Sequence, residues 1–245
     1  MKSTVSVVIP VYNESRDIAK CLDALMAQTV KPDEIIISNN NSTDNTVEIA
    51  LKYPRVRVVN EKRKGITYAR TTGFNAAKSD IIARVDADTI ASRNWVQSIK
   101  KHFADDKEAC GLAGRVAVRE LSPSGMFWFS ILPYFSRKLG DMHVGISPLM
   151  SGHNMAIRRS VWDKIKQHVH LDDQEVNEDV DLSLFVLRIG KIVYCRDMLV
   201  KTRMIELFFN IPKLIRYGRT NKNTMIKHKL LNPKLNFKYE IDDGK

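Results

Sequence analysis

Two carboxylates one residue apart, Asp86 and Asp88, stand directly behind the apolar run Ile81-Ile82-Ala83-Arg84-Val85. Carboxylate oxygens are hard ligands. A pair this close suits Mg²⁺ or Mn²⁺, which keep coordination positions open for substrate phosphates. An Asp-x-Asp triplet alone mostly marks a turn or a cap; its place behind a buried strand makes it a candidate cation site. Other chemistries lack their residues. No GxxxxGK loop followed by Ser or Thr occurs, and no GxGxxG follows the first strand, which argues against ATPase and Rossmann dinucleotide chemistry. No GxSxG nucleophile elbow is present. His168 and His170 lie two apart without Cys or His partners at zinc spacing.

The segments that would position the carboxylates alternate in pattern. Residues 5–11 (VSVVIPV) form a β-branched run of buried-strand length. After Asn13-Glu14-Ser15, Ile18, Leu22, Leu25 and Met26 recur at helical spacing. Pro32 precedes a second strand, 34–38, and a polar loop, 39–45, leads into a helix through Leu51 with Asp44 as its expected N-cap. A third strand at 56–59, a small-residue helix at 66–77 and a fourth strand at 81–85 follow. Ser92 is the expected cap of a helix buried through Trp95, Ile99 and Phe103. Four strand–helix alternations in about 100 residues predict βαβ units, a mostly parallel sheet and right-handed crossovers. Ligands of such sheets bind beyond the carboxyl ends of the strands. That is where Asn13-Glu14, residues 39–44 and Asp86/Asp88 converge.

The second half is less regular. Strands are expected within 111–118, at 154–157 and at 192–195, and helices from Arg158 and over 178–189. The aromatic stretch 126–135 (Phe127, Trp128, Phe129, Tyr134, Phe135) reads equally as an acceptor-side lid, a membrane-interface patch, or core beneath a loop.

Composition sets the class. The 245 residues are 44% hydrophobic and 27% charged, which is globular composition. No stretch approaches the roughly 20 apolar residues of a membrane-spanning helix, and the N-terminus lacks the pattern of a secretory signal. Three scattered cysteines, Cys21, Cys110 and Cys195, exclude a disulfide framework and fit a reduced, cytoplasmic chain. The net charge of +11 is concentrated: residues 199–238 hold ten Lys or Arg against Glu206 alone. That segment, read as helical between 204 and 231 with a break at Pro212, suits an anionic surface.

With these residues in place, the chain resembles the family 2 glycosyltransferases of GT-A fold from Val5 to about Cys195. The resemblance rests on Ile9-Pro10-Val11-Tyr12-Asn13-Glu14, Ser42-Thr43-Asp44-Asn45-Thr46, Gly65 through Ala69-Arg70 to Gly73, Asp86-Ala87-Asp88, Gly152-His153-Asn154 through Arg159, and Asn177-Glu178-Asp179, in the family's order. It implies a single α/β GT-A domain over 1–198, with a nucleotide-sugar half at about 1–110 and an acceptor half at about 111–198. A basic, partly helical extension, 199–245, follows. It further implies an inverting transfer from a nucleotide-diphosphate-sugar, a UDP-sugar first, to a hydroxyl or phosphate on a glycan or lipid-linked acceptor in envelope polysaccharide synthesis.

Residue by residue, the resemblance puts Pro10, Tyr12 and Glu14 around the nucleoside and Asp86 on the ribose or phosphate side. Asp88 would hold Mn²⁺ or Mg²⁺ against the diphosphate, and Asp179 would serve as general base. Gly152, Asn154 and Glu178 fall on the sugar and acceptor side; adjacent Glu178 and Asp179 would push one pKa upward. Arg70 and Lys64 are candidates for diphosphate contact. Asn39 stands where the family commonly has the aspartate that accepts the uracil imide N–H; its amide can accept that bond or donate to another base, which leaves GDP-sugars open. No Gln-x-x-Arg-Trp motif of processive synthases occurs, which points to single transfers.

Residues 199–238 are expected to touch an anionic membrane peripherally, on the inner face. The competing reading is a degenerate α/β module binding membrane or nucleic acid through this tail. Acids gathered at the candidate site, away from the basic residues, count against nucleic acid.

Overall fold

The computed structural model describes residues 3–119, 149–203 and 210–230. The aromatic stretch 126–135, residues 204–209 and residues 231–245 lie outside them.

Residues Val5–Val11 form β1, buried along its whole length. Its side chains divide by parity: Val5, Val7, Ile9 and Val11 enter one apolar cluster and Val8 the other. Both faces of the sheet are therefore covered, which is why this strand reads as a continuous apolar run. The helix α1 (Ile18–Met26) and strands β2 (Glu34–Asn39), β3 (Val56–Asn60) and β4 (Ile81–Arg84) follow, with helices α2 (Thr46–Ala50) and α3 (Ile66–Ala76) as crossovers. β1 pairs in parallel with β2 and β4, and β2 with β3.

Beyond β4 the sheet changes character. After β5 (Ile90–Ala91), α4 (Trp95–Asp105) and β6 (Ala109–Val118) come β7 (Met155–Arg158), α5 (Arg159–Ile165), α6 (Glu178–Leu187) and β8 (Lys191–Thr202). The eight strands lie in the order β3-β2-β1-β4-β7-β6-β8-β5. β7 runs antiparallel to both β4 and β6, and β5 antiparallel to β8, so the parallel pattern of the first half does not extend across the sheet. The domain is a mixed α/β sheet flanked by helices, as expected.

Local expectations need four corrections. Asn94, not Ser92, precedes α4, and its side chain makes no cap bond; Ser92 contributes its backbone carbonyl to Trp95 N–H. Asn45 is the residue before α2, while the Asp44 carboxylate accepts from Thr46 N–H at 3.0 Å and from Ser15 N–H at 3.0 Å, tying the second loop to the first. β8 runs to Thr202, far past Cys195, because residues 199–202 pair with Arg115 to Val118 of β6. The chain after β8 is fastened by Arg203, whose Nη1 lies 3.1 Å from Asp17 Oδ2. Helix α7 (Ile211–Lys227) carries Pro212 in its first turn, where the missing N–H costs nothing. Pro212 therefore begins this helix instead of breaking one.

Candidate active site

The first loop leaves β1 through Pro10 and Tyr12, and Asn13 takes the left-handed conformation (φ 55°) that asparagine tolerates. Its Oδ1 accepts from Thr43 N–H at 2.8 Å. Glu14 N–H donates to Thr46 Oγ1, also at 2.8 Å. α3 begins after Gly65, at φ 142°, a conformation closed to most side chains. These carboxyl-end loops, with Asp86 to Asp88 after β4, enclose a cleft of about 660 Å³ lined by Pro10, Tyr12, Glu14, Asn40, Lys64 and Asp88 among others. Its remaining wall comes from beyond the sheet: His153, Arg203, and Lys213 and Tyr217 of α7. A smaller chamber of about 170 Å³ shares Ile66, Asp86, His153, Lys213 and Tyr217 with it and adds Arg84, Glu178 and Asp179.

Arg84 organises the floor. It is 1% exposed, and its Nη2 lies 3.0 Å from Asp86 Oδ1 while its Nη1 reaches Glu178 Oε1 at 2.5 Å and Asp179 Oδ1 at 3.5 Å. Burial opposes its charge, but the three carboxylates outweigh burial and hold it more firmly protonated than a free arginine. Arg70, entirely buried, donates to the Glu178 carbonyl at 3.2 Å and lies 3.4 Å from Glu178 Oε2. Glu178 is thus clamped by two guanidinium groups.

Asp179 is the carboxylate left with least compensation. Asn177 caps α6, accepting from Asp179 and Val180 N–H, and this fixes the start of the helix. Asp179 Oδ2 accepts from Gly152 N–H at 2.7 Å. A Cβ on Gly152 would stand 2.6 Å from Arg84 Nη2 and 2.9 Å from Asp179 Oδ1, so only glycine lets this backbone approach. Burial, and then the charge of Glu178, push Asp179 up to about 7 against the pull of Arg84 and the Gly152 bond. A carboxyl that titrates near neutrality in a cleft is suited to proton transfer.

Around the larger chamber, burial opposes the charge of Asp86, yet Arg84 and His153 hold its pKa below the usual carboxylate range. His153 Nε2 lies 3.6 Å from Asp86 Oδ2. Asp88 is raised, by burial and by Asp86, although His153 and the 3.0 Å bond from Thr202 Oγ1 oppose the rise. Burial, then Asp88 and Asp17, push Glu14 up to about 7. A cation would relieve this crowding of acids. The oxygens of Asp86 and Asp88, with the His153 imidazole beside them, form a donor set that a hard divalent ion accepts. Among the described residues, the trio whose metal-ligating atoms already lie within 4.8 Å of one another is a different one, His170, Asp181 and His228. There both imidazoles contact Asp181 Oδ1, at 2.6 and 2.7 Å, as hydrogen bonds do.

Of the residues expected at the site, Pro10, Tyr12, Glu14, Asp86, Asp88 and Lys64 line the larger chamber, and Glu178 and Asp179 the smaller, with Gly152 against Asp179. Three lie elsewhere. Arg70 has no surface on the cleft and acts on Glu178 instead of facing a diphosphate. Asn154 is buried, accepting from Trp95 Nε1 and donating to the Arg115 and Met198 carbonyls, so it holds strands together behind the site. Asn39 turns to Asn60 and to Ser42 N–H; Asn40 lines the cleft in its stead, with its amide engaged by Glu61, Arg63 and Gly65. The sequence alone does not mark Arg84, His153, Asn40, Arg203 or Tyr217 as site residues. An arginine inside the otherwise apolar run 81–85, two residues before Asp86, was the available signal.

Known proteins resemble this chain in sequence and in fold. GlyG from Streptococcus pneumoniae is 25% identical over 216 residues, covering 81% of this chain and 70% of GlyG. YibD, an uncharacterised glycosyltransferase from Escherichia coli, is 44% identical over 94 residues, 36% of this chain and 27% of YibD. Chondroitin synthase from Pasteurella multocida is 36% identical over 107 residues, 42% of this chain and 11% of the synthase, so this chain spans only a minor share of the latter two. Among solved structures, mannosyltransferase PcManGT from Pyrobaculum calidifontis, in complex with GDP-Man and Mn²⁺, gives a TM-score of 0.71 at 19% identity, over 94% of this chain and 65% of that one. Glucosyl-3-phosphoglycerate synthase from Mycobacterium tuberculosis, in complex with Mn²⁺, UDP and phosphoglyceric acid, gives 0.63 at 18% identity, over 92% and 78%. Both show the shared fold. The sequence model of glycosyl transferase family 2 matches residues 6–166, about two thirds of the length, and the chain belongs to that family.

Proposed function

We propose that the protein transfers a sugar, with inversion, from a UDP-sugar to a hydroxyl group of a glycan or lipid-linked acceptor. The observation that carries the proposal is Asp179: a carboxyl pushed to about 7, held by Gly152 N–H, in a chamber that shares part of its wall with a nucleotide-sized cleft. Asp179 takes the acceptor proton as the hydroxyl attacks the anomeric carbon from the face opposite the leaving diphosphate. Glu178, clamped by Arg70 and Arg84, holds the start of α6 and supplies the neighbouring charge that keeps Asp179 basic.

Asp88 would hold Mn²⁺ or Mg²⁺, with Asp86 and His153 beside it. That ion supplies Lewis-acid stabilisation of the departing nucleoside diphosphate. Tyr12, 53% exposed over the cleft, offers a ring for the base, and Lys64 and Lys213 offer charge for the phosphates. The neighbours that bind UDP and GDP-Man support a nucleotide donor, and UDP is the first candidate.

The test is a thermal-shift panel of UDP, GDP, CDP and dTDP with and without Mn²⁺. A nucleotide at 100 times its Kd stabilises by about 2.7 kcal/mol. A Mn²⁺-dependent shift with UDP that Asp88→Ala abolishes is the expected result. A shift with GDP alone overturns the donor assignment, and an undiminished metal-dependent shift in Asp88→Ala overturns the ligand role.

A further inference from the structure

Helix α7 is mounted inside out. Surface helices ordinarily bury an apolar stripe and present charge to water. Here the residues turned toward the body are polar. Thr220, Thr224 and His228 are 4%, 0% and 2% exposed. Thr224 Oγ1 accepts from Asn177 N–H at 2.8 Å, and His228 Nε2 meets Asp181 Oδ1 at 2.7 Å. Lys213 and Tyr217, on the same side, wall the cleft. At about 100° per residue, Ile211, Ile215, Lys222 and Ile226 fall within an arc of about 60° on the opposite side. Ile211 and Ile215 are each 67% exposed and Ile226 is 52% exposed. Lys222 lies within that arc and Arg219 borders it, whereas Arg216 turns to the body, lining the smaller chamber and donating to the Asp173 carbonyl at 3.2 Å; no acidic residue occurs between 210 and 230.

We infer that the outer face of α7 docks on an anionic lipid bilayer, lying in the interfacial plane with Ile211, Ile215 and Ile226 inserted and Lys222 and Arg219 against lipid phosphates. The chemistry selects this occupant. Isoleucines alone would suit many apolar partners, and cations alone any anion. Their combination on one helix of about 25 Å, too short and too charged to span, matches an in-plane helix at a negatively charged surface. Because the inner face of the same helix walls the cleft, docking sets the chamber of Asp179 beside the lipid headgroups. The inference thereby deepens the proposed function by naming the surface that carries the acceptor, and it rests on that reading for the acceptor alone.

Flotation with phosphatidylcholine vesicles, pure or containing phosphatidylglycerol, tests it without any substrate. The intact chain is expected to float with the anionic vesicles, to stay behind with neutral ones, and to be released by salt. The triple variant Ile211→Ser, Ile215→Ser, Ile226→Ser keeps every charge and touches only exposed positions. It should keep the wild-type melting temperature and bind anionic vesicles at least ~10-fold more weakly. Equal flotation of the variant, or no flotation of the wild type, overturns the inference. So does a dimer that ignores vesicles and that the triple variant dissociates, which would make the face a protein interface. A thermal shift with nucleotide, measured on the same samples, separates failure here from failure of the donor reading.

Discussion

If Asp179 is the base, its ionisation must limit turnover, and the structure fixes where. Burial and the Glu178 charge place its pKa at about 7. The ionised fraction is then about 0.09 at pH 6, about 0.5 at pH 7 and about 0.9 at pH 8. The kcat at saturating donor and acceptor should accordingly rise about fivefold from pH 6 to 7 and less than twofold from pH 7 to 8. Asp179→Asn removes the base, should cost ~10²–10⁴ in kcat, and should leave residual turnover without that limb. The same carboxyl makes a stability statement. A folded-state pKa raised above the unfolded value favours the folded protein at low pH and costs stability as pH rises through about 7. Three pH units set a ceiling of about 4 kcal/mol on that cost. With 27% of the side chain open to the cleft and Arg84 only 3.5 Å away, about 1 kcal/mol is the reasonable expectation. Asp179→Asn should therefore melt higher than wild type at pH 8, with the difference closing toward pH 5. Initial rates from pH 5.5 to 8.5 and calorimetry of both proteins supply the check. A limb below pH 5.5, a variant within tenfold of wild-type kcat, or a pH-independent stability difference would refute the reasoning. A limb that survives Asp179→Asn but disappears in Glu178→Gln would move the base to Glu178.

Arg84→Met leaves Glu178 with Arg70, Asp86 with His153 and Asp179 with the Gly152 N–H, and no cation between the three acids. Denaturant unfolding should show a loss of ~3–5 kcal/mol, since removing one partner strands buried charge; a loss below ~1 kcal/mol would mean the ion pairs are solvated. Gly152→Ala forces Arg84 and Asp179 away from a Cβ that would sit 2.6 and 2.9 Å from them. It should cost ~1–3 kcal/mol in stability and at least tenfold in kcat with nucleotide binding retained. Wild-type turnover would show that the close approach has no catalytic weight.

The local parts of this site were legible in the sequence because chain neighbours build them. Residues 5–11 and 81–85 read as buried strands, and Asp86 to Asp88 follow at a strand end. Asn177 and the start of its helix were equally local. The errors came from positions whose meaning depends on what packs against them. Arg70 looked like a phosphate ligand at the start of a helix. Yet the sheet-facing stripe of α3 runs through Thr67, Arg70, Gly73 and Phe74, and spacing alone puts Arg70 on it. An arginine on a buried stripe contradicts ordinary expectation unless an acid awaits it, and that acid, Glu178, lies 108 residues away. Arg84 pairs across 94 residues in the same way. The tail showed its charge but not its side: nothing in the order of residues told that Thr220, Thr224 and His228 would face inward.

The long-range pairs explain why Asp179, and not Asp86, is pushed toward neutrality. Arg70 and Arg84 together meet both Glu178 oxygens, and Arg84 with His153 holds Asp86 low. Two guanidinium groups cannot equally serve a third acid at 3.5 Å, whose closest partner is a neutral N–H from Gly152. Asp86 therefore keeps its charge and Asp179 gives way to a proton, although both stand within reach of the same arginine. Neighbouring acids driven apart in this manner take different roles: the paired ones set the field and the uncompensated one titrates. If Asp179 is the base, exchanging which acid the arginines favour should exchange the base, with the wholly buried Arg70 acting through Glu178 and Arg84 acting from the chamber wall.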